Sequence, residues 1–518
     1  MSDAADQDDR IGATWRFDLP SEDATYALAA DISQFIGAGD LITLSGDLGA
    51  GKTSFARALI RHMRNDPDLD VPSPTFTLMQ IYPGEPFPIV HADLYRIKDA
   101  SELAELGWDE ATEDALVLVE WADRAGDQLP PDRLDLAFYV DAARGDTQRT
   151  CIVTGHGKFG PRIARAGAIK TLLETSGWAG ATRSFMLGDA STRAYERLEK
   201  PNGERAILMI SPPRPDGPPM RFGKPYSAIA KLAENIRPFI AVDEALRTQG
   251  FSAPDIYAAD SNAGLAVIED LGSDACVDAS GPIFDRYAEA AAVLADMHGR
   301  ELPDRLPLAN SEPYRIPVYD LDALLIEVEL LTDWYAPHYI NVSLASGTRA
   351  IFAGVWKHAL AEIVAARHTW TLRDYHSPNL IWLGDRAGLQ RVGIIDFQDC
   401  VLGHPAYDVV SLLQDARVTV PDDLELRLLS HYARLRRNAD PTFDMSAFAR
   451  AYAILGAQRA TKILGIFARL DKRDGKPQYL AHIPRVEHYL RKNLAHPALA
   501  ELRTWHQSHL PQTFGEPA

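Results

Sequence analysis

At 518 residues the chain is longer than one hydrophobic core organises, so two or three domains are expected. Apolar residues make up 46% and charged residues 24%, the balance of an ordinary soluble globular protein. The formal net charge of −19 weighs against nonspecific binding to nucleic acid or an anionic membrane, because both need a cationic contact surface.

The opening MSDAADQDDR lacks the basic and apolar regions of a signal peptide, and no apolar run is long enough to cross a bilayer. A cytoplasmic location is expected. Cys151, Cys276 and Cys400 are far apart, with no CxxC and no metal-like clustering with histidine, and read as buried thiols in a reducing compartment.

ATWRFDLPSEDATYALAADISQFI reads as a strand, a turn with a capping signal at Ser21, and an amphipathic helix. DLITLSGDLGAGKTSFARALIRHM follows as strand, glycine-rich loop and helix. Gly46, Gly51, Lys52 and Thr53 fit GxxxxGK[ST] in the context that motif requires. Glycines let such a loop wrap the phosphates, its amides and the positive helix end face them, the lysine reaches the β and γ phosphates, and the threonine hydroxyl ligates Mg²⁺. Gly46, Gly49, Gly51, Lys52, Thr53 and Ser54 are therefore the nucleotide-binding candidates, with ATP as the expected ligand.

ALVLVE reads as a buried strand ending in Glu120, placed like the carboxylate that P-loop enzymes use to hold Mg²⁺ or orient water; the alternative is a solvent-facing strand end. Asp93, in FPIVHADLYRI, is open between a second metal-side acid and a helix cap. GDLGAGKT, SPTFTL, HADLYR and VEWADR, in that order over about residues 12–155, strongly resemble the TsaE family of ATPases. That resemblance implies an α/β P-loop NTPase domain that supports N6-threonylcarbamoyladenosine formation on tRNA. Thr53, Asp93 and Glu120 would lie on the metal side and Lys52 on the phosphates. It also implies TsaB- and TsaD-like partner proteins, so that little direct nucleic-acid binding is expected.

CIVTGHGKFGPRIARAG changes from a strand to a glycine-rich link, which puts a linker at 156–164 and a second domain at 165–518. TRSFMLGDASTRAYERLEKPNGERAILMI reads as the strands of a kinase N-lobe with a turn at PNG. Gly188, Asp189, Ser191 and Arg193 sit where a phosphate-covering loop belongs, the alternative being a hairpin turn. Met209 occupies the slot where protein kinases carry a lysine, so Arg193 or another loop cation must compensate, or phosphate alignment is weaker. Glu269 and Asp270 lie in the expected hinge and read as solvated acids; His298 reads as a packing residue, and the remainder as a helical C-lobe.

TLRDYHSPNLIWL and RVGIIDFQDCVLGHPAYDV carry the second site. Asp374 and Asn379 share one loop and VGIID delivers Asp396 from a strand. In a kinase such residues are the acceptor of the hydroxyl proton and two Mg²⁺ ligands. The stretch resembles the aminoglycoside phosphotransferase and choline kinase group, with Arg373 where its pattern has Gly and His404 where it has Asp. RDYHSPN and GDASTRAYERL are more similar to the AmgK-like branch, which implies a two-lobed α+β protein-kinase-like fold and an ATP-dependent transfer to the anomeric hydroxyl of N-acetylmuramate or N-acetylglucosamine. The other readings are a kinase for an antibiotic or another small alcohol, and a regulatory nucleotide-binding module in one half. A cationic antibiotic would need acids around the acceptor, whereas a muramate carboxylate would need a cation.

Overall fold

Leucine, isoleucine and valine fill Leu41–Ser45 (β2) and Leu116–Glu120 (β5), and both strands lie inside one sheet. Along β5, Leu116 and Leu118 enter the core on one face, Val117 and Val119 that on the other. A strand buried on both faces needs such a continuous apolar run. The structure is a computed structural model that describes residues 14–33, 35–85, 87–97, 102, 107–140, 148–186, 193–213, 217–309 and 311–514. It divides into two compact units between Glu174 and Thr175.

The first unit contains β1 (Thr14–Leu19), α1 (Glu22–Ser33), β2, α2 (Lys52–Arg64), β3 (Met79–Tyr82), β4 (Ile89–Asp93), β5, β6 (Leu134–Val140), β7 (Arg149–Gly155) and α3 (Phe159–Thr175). The strand order is β1-β7-β6-β2-β5-β4-β3, with β6, β2, β5 and β4 parallel and antiparallel strands at both edges. The Ser21 hydroxyl accepts from the Ala24 amide at 3.3 Å at the start of α1. Parallel strands bring the β2–α2 loop and the ends of β4 and β5 to one edge, where ligands bind in such sheets. The sequence reading ended this domain at residue 155 and expected a linker at 156–164. Instead Phe159 and Ile163 are fully buried in its core, and α3 belongs to the first unit.

The second unit starts with an antiparallel sheet of β8 (Thr182–Met186), β9 (Ala194–Glu199), β10 (Arg205–Ile210), β11 (Ile256–Asp260) and β12 (Leu265–Glu269) in the order β11-β12-β10-β9-β8. Helix α4 (Arg237–Thr248) packs into the same core. The helical part includes α5 (Phe284–Met297), α6 (Leu321–Leu330), α7 (Ala406–Leu413) and the 30-residue α8 (Met445–Asp474). Two short antiparallel strand pairs lie between α6 and α7 in the chain: β13 (Thr369–Thr371) with β16 (Val401–Gly403), and, within the segment these enclose, the hairpin of β14 (Leu380–Trp382) and β15 (Val392–Ile394). The loops after β13 and β15 carry the second site.

Candidate active sites

In the first unit, α2 begins directly on the glycine-rich loop, with Gly51 in the left-handed conformation before it. Gly46 also has a positive φ of 130°, and a Cβ there would overlap the carbonyl oxygen of Phe138, so only glycine fits. Lys52 Nζ donates to the carbonyl oxygens of Gly46 (2.7 Å) and Asp47 (2.9 Å) and lies 4.0 Å from the centroid of Trp121. Burial lowers its pKa, against the raising influence of Glu120 and Asp93.

Glu120 ends β5 and is paired in register with Asp93 at the end of β4. The Thr53 hydroxyl donates to both Glu120 oxygens (2.8 and 2.9 Å), and His91 Nε2 lies 3.0 Å from Oε1. Asp93 accepts from the hydroxyls of Ser73 (3.0 Å) and Thr75 (2.7 Å) and from the Tyr95 amide (3.0 Å). Thr53, Ser73, Thr75, Asp93 and Glu120 line a cavity of about 280 Å³ together with Gly49, Gly51, Lys52 and Ser54, with His91 behind Glu120. Hard oxygen donors from three elements thus face a phosphate-binding loop, which suits Mg²⁺. Asp93 starts no helix, since Tyr95 and Arg96 form a turn, and its bond to the Tyr95 amide is a local Asx contact.

In the second unit, the loop after β13 is held from below by Asp408 on α7, whose carboxylate accepts from the amides of Leu372 (2.7 Å) and Arg373 (2.9 Å). Arg373 adopts φ 68°, a left-handed conformation the kinase pattern fills with glycine. Its side chain explains its presence. Fully buried, it pairs with Glu327, donates to the Ala230 carbonyl at 2.9 Å and lies over the Tyr319 ring. Glu327 also receives Lys462 Nζ (2.9 Å) and Gln458 Nε2 (3.1 Å), as well as the Tyr319 hydroxyl.

Asn379 Nδ2 donates to the Asp374 carbonyl oxygen (2.9 Å) and lies 3.4 Å from Asp396 Oδ2, so the three expected residues meet. Burial would raise the pKa of Asp374, but Lys462, His376, Arg459 and Arg373 outweigh it and hold the carboxyl below its usual value. Asp396 is pushed up to about 6 by burial and by Asp374, despite Arg193. The Asp396 carboxylate and the Asn379 carboxamide beside it suit a divalent cation, whose charge would offset the influence of Asp374 on Asp396. Arg193 Nη1 donates to Asp396 Oδ1 at 2.9 Å, and Gln398 Nε2 donates to the same atom at 2.8 Å. Met209 is fully buried opposite Tyr195 in the sheet, so the cation at this site comes from the start of β9 instead. Gly188, Asp189 and Ser191 lie outside the described residues.

A cavity of about 190 Å³ opens beside Asp374. Its lining includes five cations (Arg373, Arg417, Arg459, Lys462 and Arg469) and three carboxylates (Glu327, Asp374 and Asp415).

Residues 19–150 match the family model described as threonylcarbamoyl adenosine biosynthesis protein TsaE, and residues 183–445 match the phosphotransferase enzyme family. An N-acetylmuramate/N-acetylglucosamine kinase of Caulobacter vibrioides is 39% identical over 360 residues, spanning 67% of this chain and 97% of that protein. A TsaE protein of Rickettsia conorii is 38% identical over 139 residues, 27% of this chain and 77% of its own. The chain belongs to both families. A second kinase of the same name, from Pseudomonas putida, is 31% identical over 61% of this chain and 84% of its own length.

The TsaE unit brings together all its expected residues and adds His91, Ser73, Thr75 and Trp121. His91 could have been found from strand periodicity, since it lies two residues before Asp93 on the same face of β4. The phosphotransferase unit adds Glu327, Lys462, Arg459, Gln398 and Asp408. His298 is buried, with Nδ1 2.9 Å from the Tyr432 hydroxyl, and His404 accepts from the Ala406 amide at 3.1 Å. Glu269 and Asp270 are corrected from solvated acids to ion-paired ones, with Arg386 (2.8 Å) and Arg197 (3.1 Å). Among the described residues no helix is long and apolar enough to cross a membrane.

Proposed function

We propose that the phosphotransferase unit transfers the γ-phosphoryl group of ATP to the anomeric hydroxyl of N-acetylmuramate or N-acetylglucosamine, the sugars named for its relatives, as a step in cell-wall recycling in the cytoplasm. The observation that carries this reading is the cavity beside Asp374, where five cations outnumber three carboxylates. A polycationic aminoglycoside would be repelled there, and an acidic amino sugar would be held.

In this reading Asp374 orients the hydroxyl and takes its proton. Its lowered pKa keeps it ionised at neutral pH, and the acidity of an anomeric hydroxyl eases the transfer. Asn379 and Asp396 would hold Mg²⁺, which when bound neutralises charge on the transferring group. Arg193 aligns the phosphates from the opposite sheet. Incubating the full chain with ATP and Mg²⁺ and each of N-acetylmuramate, N-acetylglucosamine and kanamycin tests the reading. ATP consumption with either amino sugar and not with kanamycin supports it, and the reverse pattern refutes it.

For the TsaE unit we propose ATP hydrolysis with Lys52 on the phosphates, Thr53, Asp93 and Glu120 on the Mg²⁺ side, and a supporting role in N6-threonylcarbamoyladenosine formation with TsaB- and TsaD-like partners. The Thr53–Glu120 contact supports this assignment, because it places a hydroxyl and a carboxylate at one end of the phosphate loop. Adding purified TsaB and TsaD should stimulate ATP hydrolysis, and Glu120→Gln should abolish the stimulated rate. Stimulation that survives this substitution would refute the assignment of Glu120.

A further inference from the structure

The cations around the acceptor cavity are not equivalent. Arg373 and Lys462 are both engaged by Glu327, Arg417 Nη1 lies 3.3 Å from His376 Nε2, and the Arg469 guanidinium lies over the Tyr226 ring, 5.2 Å from its centroid. Arg459 differs. Its side chain lines the cavity, the residue is only 5% exposed, and among the described residues none forms a hydrogen bond or an ion pair with its guanidinium. The guanidinium carries five donors, and on the cavity wall they are free to meet an acceptor that enters it.

Its position on α8 gives the group a direction. Arg459, Lys462, Ile466 and Arg469 recur at helical spacing and all line the cavity, so one face of the helix forms a cationic wall. This wall lies beyond residue 445, where the phosphotransferase family match ends. The side chains that hold the nucleotide end of the reaction and those that form this wall thus come from different parts of the chain. Such a division allows acceptor preference to be set without altering the phosphoryl-transfer centre.

We infer that Arg459 is the residue that recognises the acceptor's carboxylate, accepting the lactyl carboxylate of an acidic amino sugar as its missing partner and so setting preference for acidic over neutral acceptors. This rests on the sugar-kinase reading above. A planar guanidinium suits a carboxylate because it can offer two parallel N–H donors. Lys462, one turn away, is held in place by Glu327 and leaves this role to Arg459.

The test compares N-acetylmuramate with its neutral methyl ester in the full chain, by kcat/KM for each, in wild type, Arg459→Gln and Arg459→Lys. Wild type should prefer the acid by about 30-fold or more, the scale of a buried charge-assisted contact. Arg459→Gln should bring the ratio to about 1, and Arg459→Lys should restore part of it. The wild-type comparison removes the charge from the ligand and involves no risk to folding, so a wild type indifferent to esterification overturns the inference by itself. Equal losses for acid and ester in Arg459→Gln, leaving the ratio unchanged, would assign Arg459 a structural role. A raised KM for ATP with an unchanged ratio would place it on the phosphate side. Either result overturns the inference and leaves the sugar-kinase reading intact. A wild type that phosphorylates neither N-acetylmuramate nor N-acetylglucosamine refutes that reading and the inference with it.

Discussion

Replacing Glu327 by Gln removes one negative charge and almost no volume, and the structure makes the consequence calculable. Glu327 is fully buried and holds Arg373 and Lys462, themselves buried or nearly so. At an effective dielectric of about 20, each contact of this kind is worth about 4 kcal/mol, or about 8 kcal/mol for the two. Returning the carboxylate to water in the unfolded chain recovers several kcal/mol of desolvation. The net loss should be about 3–5 kcal/mol, the range found when one partner of a buried pair is removed. Urea unfolding followed by the fluorescence of the buried Trp356 and Trp370 reads the phosphotransferase unit. Because Arg373 and Lys462 would then both lack their shared counter-charge, adding Lys462→Met to Glu327→Gln removes one of the two and should restore part of the loss, giving a non-additive double-mutant cycle. A loss under about 1 kcal/mol, or strict additivity, would refute the reasoning.

Three further outcomes are expected. Asp374→Asn should lower turnover by about 10²–10⁴, as for a lost general base, with ATP affinity little changed; an equal fall in ATP affinity would move Asp374 to the nucleotide side. Asp243, buried on α4 with neither oxygen hydrogen-bonded, has its pKa pushed up to about 8 by burial, so its carboxyl folds protonated and pays to ionise. Its contribution is fully present below the ordinary value of 3.8 and is lost as pH rises through about 8, a span of about 6 kcal/mol. Asp243→Asn should therefore be more stable than wild type at pH 9 and about equal at pH 4, measured by urea unfolding; equal stability at both would contradict it. In the TsaE unit, Gly46→Ala should remove one of the full chain's two binding sites for a fluorescent ATP analogue, and an unchanged stoichiometry would show that the loop tolerates a Cβ against Phe138.

The phosphate loop was legible because Gly46, Gly51, Lys52 and Thr53 act through fixed local spacing between a strand and a helix. Asp374, Asn379 and Asp396 were legible for the same reason, since one short hairpin, β14–β15, brings all three together. Long-range partners left no such trace. Arg373 looked like a departure from a glycine pattern, and its meaning lies in Glu327, 46 residues earlier, and in Lys462, which shares that carboxylate. The cationic wall of α8 was hidden because this helix is buried along much of its length, which blurs the polar and apolar faces that reveal an ordinary surface helix. The unit boundary was misplaced because glycines in GHGKFG read as a link, whereas Phe159 and Ile163 fix α3 to the TsaE core. Residue 209 showed that a lysine was missing and pointed to Arg193 or another loop cation; the Arg193–Asp396 contact across the fold was needed to choose between them.

The most direct measurement is the chemistry of the product. The full chain, supplied with ATP, Mg²⁺ and N-acetylmuramate, should consume ATP above its sugar-independent rate and eliminate the sugar's reducing end in an amount equal to that excess, because phosphorylation at the anomeric carbon locks the ring. Sugar-dependent ATP consumption with the reducing end retained would place the phosphate on another hydroxyl and contradict the account.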